Sequence, residues 1–186
     1  NIYSVAGTGA SGSTGDGAAA TAALLSAPRK IAFDTTGNLF IADTGNSRIR
    51  VVNKTAGTYF GVAMTVNNIY VVAGTTAGLS GDAAAATAAQ INTPSDLAFD
   101  TTGNLYIADT ANSRIRAVNK TAGTYFGVVM AANNIYTVAG TTAGTSGDGA
   151  AATAGQINLP LGIAFDTVGN LYIGDTTGNR IRMVAP

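Results

Sequence analysis

Short apolar runs, each closed by Gly, Asn or Asp, recur along the chain at a fixed interval. Within one interval four runs read as strands: IAFD (31–34), NLFIAD (38–43), RIRVVN (48–53) and NIYVVAG (68–74). Their β-branched and aromatic content suits a pleated surface, and the TTG and TGNS between them are turn chemistry. In the third run Arg48 and Arg50 bracket Ile49, so the two arginines share one face and Ile49 enters the opposite layer. In the fourth, Ile69 and Val71 oppose Tyr70 and Val72, and neither side is polar. A sheet that is apolar on both faces must be covered twice, as in an interior blade of a stack.

Three anchors set the period. NIY begins at Asn1, Asn68 and Asn134, Phe-Asp falls at 33, 99 and 165, and RIR at 48, 114 and 180. The unit is therefore 66 residues, with one extra in the first copy between Gly7 and Asp16. Between 31–67 and 97–133, 30 of 37 positions are identical, and most differences exchange similar apolar residues, so packing is what repeats. The expected organisation is one repeat domain, 1–186, with units 8–74, 75–140 and 141–186. Residues 1–7 are then a fourth strand belonging to a preceding or partner blade.

Two insertions lengthen each unit. Gly57 and Gly61 flank Tyr59 and Phe60 within 54–67, which predicts a supplementary hairpin or a strand extension. Its apolar side chains either cap an outer edge or contact another molecule. The connector 74–93 holds an alanine-rich stretch for which Asp82 is the expected cap, with Asp16 and Asp148 in the same place in the other copies. A brief docked turn is expected there, since the stretch is too short for an independent helix.

Composition narrows the chemistry. Ten Lys or Arg balance ten acidic residues, so no basic field gathers nucleic acid. There is no Cys and no His, which removes disulfides, thiolate nucleophiles, imidazole catalysis and the commonest zinc ligands. No apolar run is long enough for a membrane span. Low charge with abundant Gly, Ala, Thr and Asn suits a secreted or cell-surface repeat protein, and a start at Asn1 without Met suits a mature or excised segment.

The segment GNLYIADTANSRIRAVN (103–119), preceded by PSDLAFD (94–100) and followed by NIYTVAG (134–140), resembles the NHL repeat. Similar copies occupy 28–53 and 160–184. The resemblance implies an all-β propeller, often six-bladed, with four antiparallel strands per blade, of which three units make half a ring. It also implies a range of functions. Some relatives bind protein, RNA or carbohydrate, and some related propellers are enzymes. The lyase-type members use metal-binding histidines, which this chain lacks, and the RNA-binding members show a basic surface, which it also lacks.

Asp43, Asp109 and Asp175 each precede an arginine by five positions, Arg48, Arg114 and Arg180. A guanidinium fork on a carboxylate would pin strand register; the functional alternative is a ring of acidic ligands around a cation. Asp34, Asp100 and Asp166 open the TTG or TVG turns and are expected to cap them. As catalytic carboxylates they would be symmetric, whereas acid and base need unequal environments. Asp16, Asp82 and Asp148 are the calcium candidates, because SGDG (146–149) offers hard oxygen ligands. Tyr59, Phe60, Tyr125 and Phe126 are the candidate ligand contacts. NKT at 53 and 119 fits an N-glycosylation sequon. Asp96 has no counterpart in the other units, so its loss is expected to matter less than that of Asp109.

No catalytic residue and no cofactor is assigned. The function expected is a noncatalytic extracellular or cell-surface scaffold for protein or glycan contacts. The alternatives are a carbohydrate-binding module and a propeller enzyme whose active residues lie elsewhere. Propellers close with four to eight blades, so three blades form an arc. Further blades of a longer chain, a second copy completing a six-bladed ring, or a head-to-tail fibre would cover its ends.

Overall fold

In the computed structural model, which describes residues 1–186, short antiparallel strands are accompanied only by three-residue 3-10 turns. The first unit runs β1 (Ile31–Phe33), β2 (Leu39–Asp43), β3 (Arg48–Val52), a side hairpin of β4 (Gly57–Tyr59) and β5 (Val62–Met64), then β6 (Ile69–Ala73). Its sheet order is β1-β2-β3-β6, so the hairpin stands outside a four-stranded meander. The second unit repeats this with β7 (Pro94–Phe99), β8 (Leu105–Asp109), β9 (Arg114–Val118), the hairpin β10 (Gly123–Tyr125) and β11 (Val128–Met130), and β12 (Ile135–Ala139). The third sheet has three strands, β13 (Pro160–Phe165), β14 (Leu171–Asp175) and β15 (Arg180–Val184). These are propeller blades. β7 and β13 begin at prolines, which a first strand position tolerates because no ladder N–H is needed there.

The core lies between the sheets. Phe40, Ala42, Ile49 and Val51 of the first blade meet Leu97, Leu105 and Ile107 of the second in one buried cluster. Tyr106, Ala108, Ile115 and Ala117 of the second meet Ile163, Leu171 and Ile173 of the third in another. Each junction is keyed by an edge-to-face aromatic pair, Phe40–Phe99 and Tyr106–Phe165, both with ring centroids 4.8 Å apart. Each is also tied by a buried hydroxyl: Thr44 donates to the carbonyl of Pro94 and Thr110 to that of Pro160, both at 2.7 Å.

The connectors dock as brief turns, Ala20–Ala22, Ala86–Ala88 and Ala152–Ala154. Asp82 does not cap its turn. The residue before that turn is Ala85, no side chain caps it, and Asp82 instead faces Arg116 at 2.7 Å. An ion pair with a buried guanidinium outcompetes one N–H of a three-residue turn. Residues 1–7, expected as a fourth strand, pair with no strand here, and Ile2 is 98% exposed.

Candidate ligand-binding grooves and the Asp–Arg networks

In the first two blades the turn between the first two strands and the side hairpin stand at one end, and the turn into the third strand at the other, because the strands alternate in direction. At the first end Asp34 shapes its turn. It accepts from the backbone N–H of Thr36 at 2.9 Å and of Asn38 at 2.8 Å, and from the Asn38 amide at 2.8 Å. Asp100 and Asp166 make the same set with 102 and 104, and with 168 and 170. The Asn170 amide, first among these donors, holds the Asp166 carboxyl below the usual carboxylate range. The buried Asn38 carries the order onward, accepting from the Lys54 N–H at 2.8 Å, as Asn104 does from Lys120 at 2.9 Å. Turn and hairpin are thereby one framework.

The hairpin reverses through Phe60 and Gly61 at φ 50° and 78°, the positive pair that a two-residue turn with native strand twist requires. Phe60 is buried with its ring 5.8 Å from Phe40, and Phe126 lies 5.8 Å from Tyr106 and 6.3 Å from Phe165. Both phenylalanines therefore pack on the inter-blade cores, and Phe60 also borders the groove between the first and second blades. Tyr59 and Tyr125 remain half exposed. The Tyr125 hydroxyl lies 3.4 Å from that of Thr121, and this contact, the largest influence on it, lowers the phenol's pKa.

Between the first and second blades these elements enclose a groove of 360 Å³ bordered by Asp34, Thr58, Tyr59, Phe99, Lys120 and Asn133. A second groove of 500 Å³ lies between the next pair, on Phe99, Asp100, Thr101, Phe165, Asp166 and Thr167. An aromatic plane beside carboxylate, hydroxyl and amide groups is a surface on which a polyhydroxylated ring can stack and hydrogen-bond. Tyr106, under the second groove, donates to Asp100 at 3.2 Å, and burial followed by the Asp100 charge pushes its phenol well above the ordinary range.

The opposite end is ionic. Asp43, fully buried, accepts from the Ser26 N–H at 2.8 Å, from the Asn46 amide at 2.8 Å and from Arg48 Nε at 3.2 Å. Asp175 takes Arg180 Nε in the same way at 3.2 Å. The pairing of Asp109 with Arg114 is corrected: the two residues face each other across the β8–β9 ladder, yet Asp109 is paired by Arg116 at 3.4 Å. The surroundings of the second carboxylate also differ. In the first blade Asp16 holds Arg50 at 2.7 Å and Arg48 at 3.4 Å, one per oxygen. In the second, the Thr137 hydroxyl, where the first blade has Val71, donates to Asp82 Oδ2 at 2.8 Å, and Arg116 alone pairs with Asp82, on the other oxygen.

Asp16, Asp82 and Asp148, the calcium candidates, thus each face arginine, Asp148 holding Arg182 at 2.7 Å and Arg180 at 3.0 Å. A guanidinium occupies the place a cation would take, so these three carry no calcium reading. Arg50, Arg116 and Arg182 were missed as partners, although the alternation that puts Arg48 and Arg50 on one face was the signal. Asp96 is also corrected. It is buried, pairs with Lys30 of the first blade at 3.1 Å, and accepts from the Ile163 N–H of the third at 2.8 Å. It ties three blades, so its lack of a counterpart does not make it dispensable. Asn53 and Asn119 of the sequons are fully buried, and the folded chain does not present them for glycosylation.

Residues 25–52 and 92–117, the first three strands of blades one and two with their lead-in residues, match the family model of the NHL repeat. Blades one and two each carry an NHL repeat. The third copy forms the same three-strand arrangement outside the matched segments. Among curated proteins there is no match. Solved structures share the fold of these NHL blades at low identity. One, from Bacteroides thetaiotaomicron and described as a putative phosphatase, has a TM-score of 0.65 at 18% identity over 89% of this chain and 36% of its own. An auxiliary nutrient binding protein from the same organism gives 0.59 at 19% identity over 83% and 36%. Another from Bacteroides ovatus gives 0.57 at 19% over 84% and 36%. The chain therefore spans about a third of these structures' length. No helix is long and apolar enough to cross a membrane.

Proposed function

We propose that the chain is a noncatalytic propeller scaffold, extracellular or at the cell surface, that binds a glycan in the grooves between its blades. The observation that carries this reading is the division of labour among repeated side chains. The carboxylates that might have done chemistry are spent on turns and arginines, while Tyr59 keeps a half-exposed ring in the first groove and Tyr125 stands half exposed on the hairpin of the second blade. Aromatic stacking with neighbouring hydrogen-bond partners suits sugars, whose faces are apolar and whose rims are hydroxylated. The naming of two structural neighbours as auxiliary nutrient binding proteins supports a binding role. The near-neutral charge favours a neutral ligand over a strongly ionic one.

The test is a glycan array followed by calorimetry on any hit. A saturable signal that falls at least about tenfold in Tyr59→Ala or Tyr125→Ala, a loss of ~1.4 kcal/mol, is expected. An array without saturable binding, or binding indifferent to both tyrosines, removes the reading.

A further inference from the structure

The groove between the first and second blades carries a charge that the fold does not use. The chain's ion pairs engage Lys30, Arg48, Arg50, Arg116, Arg180 and Arg182, and Lys120 is outside that set. Lys120 borders this groove, together with Asp34, Thr58, Tyr59 and Asn133. Asp34 is already answered. Four donors of its own turn, the N–H and hydroxyl of Thr36 and the N–H and amide of Asn38, meet its carboxylate at 2.8–2.9 Å. The Lys120 ammonium is left as the unpaired charge on the border.

That ammonium is also held in place. The Lys120 N–H donates to the buried Asn104 at 2.9 Å. The side-chain stem lies over Gly103, where an added Cβ would stand 3.3 Å from Lys120 Cδ and 3.6 Å from Nζ. Gly103 has φ 85°, a conformation glycine adopts freely, so the turn keeps this space open for the stem. A lysine laid along a surface gives up part of its rotamer freedom before a ligand arrives, which lowers the entropy lost on binding.

The rest of the border offers neutral partners. The Thr58 hydroxyl and the Asn133 amide make no hydrogen bond within the chain, and both face the groove. Asn133 lies against the hairpin tip, its Cβ 3.3 Å from where a Cβ on Gly61 would stand, which joins the two sides of the groove. The second groove has no lysine or arginine on its border. Beside Gly169 stands Pro186, at the repeat position that Lys120 occupies beside Gly103.

We propose that the first groove selects a sugar bearing a carboxylate, a uronic acid unit of a glycan, with its ring on Tyr59 and its carboxylate on Lys120; this rests on the glycan reading above. A uronic acid keeps the apolar face and hydroxylated rim of its neutral parent. It adds one anionic group at the edge of the ring, which an ammonium meets in a charge-assisted hydrogen bond. A single lysine in a chain of balanced charge matches isolated carboxylates rather than a densely sulfated or phosphorylated polymer. Lys120 is thus a specificity-determining residue, and Tyr59 serves acidic and neutral sugars alike.

The test is calorimetric titration of the chain with oligosaccharides of galacturonic, glucuronic and mannuronic acid, each as the free acid and as its methyl ester, which keeps the ring and removes the charge. A free acid should bind at least about threefold tighter than its ester, and the gap should narrow as salt rises. Lys120→Gln should bring the acid down to the level of the ester and leave the ester unchanged. Since Lys120 is exposed, this variant should keep the wild-type circular dichroism. Lys54→Gln removes the same charge from the same repeat position, off the border of the groove, and should preserve the gap. Esters or neutral glycans bound as tightly as the acids, a gap that survives Lys120→Gln, or a gap lost equally in Lys54→Gln would each overturn the proposal and leave the glycan reading standing. Absence of saturable binding by acidic and neutral glycans alike removes both.

Discussion

The second and third blades are written in nearly the same letters and live in different surroundings. Ile115 of β9 is fully buried; its counterpart Ile181 of β15 is 72% exposed. Tyr106 is enclosed, Tyr172 is not, and Ala117 is enclosed where Met183 is open. The same gradient runs through the ion pairs, since Arg116 is shut away from solvent while Arg180 and Arg182 keep partial contact with it. A blade's sequence specifies which faces need covering. Its neighbour decides whether they are covered, and hence how much each side chain contributes.

Removing the buried carboxylate should separate the two blades most sharply. Asp109→Ala leaves the wholly buried Arg116 with Asp82 as its remaining carboxylate and no water to replace the one lost, and it unpairs the Asn92 N–H, so it should cost about 3 kcal/mol in denaturant unfolding. Asp175→Ala leaves Arg180 with Asp148 and water, so its cost should be clearly smaller. Equal losses would remove the distinction between the blades.

A purely apolar version follows. Ile115→Ala should cost about 2–5 kcal/mol, and Ile181→Ala less than about 0.5 kcal/mol at concentrations where the chain is monomeric. If Ile181→Ala becomes costly as concentration rises, a partner has covered the third face. That outcome would sharpen the contrast.

The smallest effect concerns protons. Burial raises the Asp109 carboxyl, against the pull of Asn112, the Asn92 N–H and Arg116. A raised carboxyl is worth most to the fold below its unfolded value, and that contribution is lost as pH rises through the folded one. Asp166, lowered by Asn170, contributes in the opposite sense: its share is present above about pH 4 and is lost as pH falls through its depressed value. Between about pH 6 and pH 3, Asp166→Asn should flatten the loss of stability on acidification, and Asp109→Asn should not. Parallel curves for the two variants would contradict this assignment.

Much of this molecule could be read before it was seen, and the reason differs from feature to feature. The strands and the Asp34 turn are local: period-two alternation, β-branched residues and a carboxylate two positions from the N–H it accepts are all decided within a few residues. The hairpin around Tyr59 belongs to the same class, although the burial of Phe60 does not, because Phe40 supplies it from another strand. Spacing of five from Asp to Arg was a sound guide in the first and third copies. It failed in the second, where Asp109 is paired by Arg116 seven positions on and the carboxylate of Asp82 is shared between Arg116 and the Thr137 hydroxyl, contacts set by tertiary packing rather than by spacing.

By itself, then, the amino-acid order determined the blade: its period, its four strands, its capped turns and its need for cover on both faces. Those properties come from short-range sterics and from hydrogen bonds between near neighbours. Only the tertiary structure decided which arginine answers Asp109, that Asp16, Asp82 and Asp148 serve guanidinium groups, and that Asp96 joins three blades. It alone left Ile2 and Ile181 in water. Charge pairing and burial depend on groups brought together from distant parts of the chain, and near-identical copies acquire different roles once one of them has a neighbour and the other has an open side.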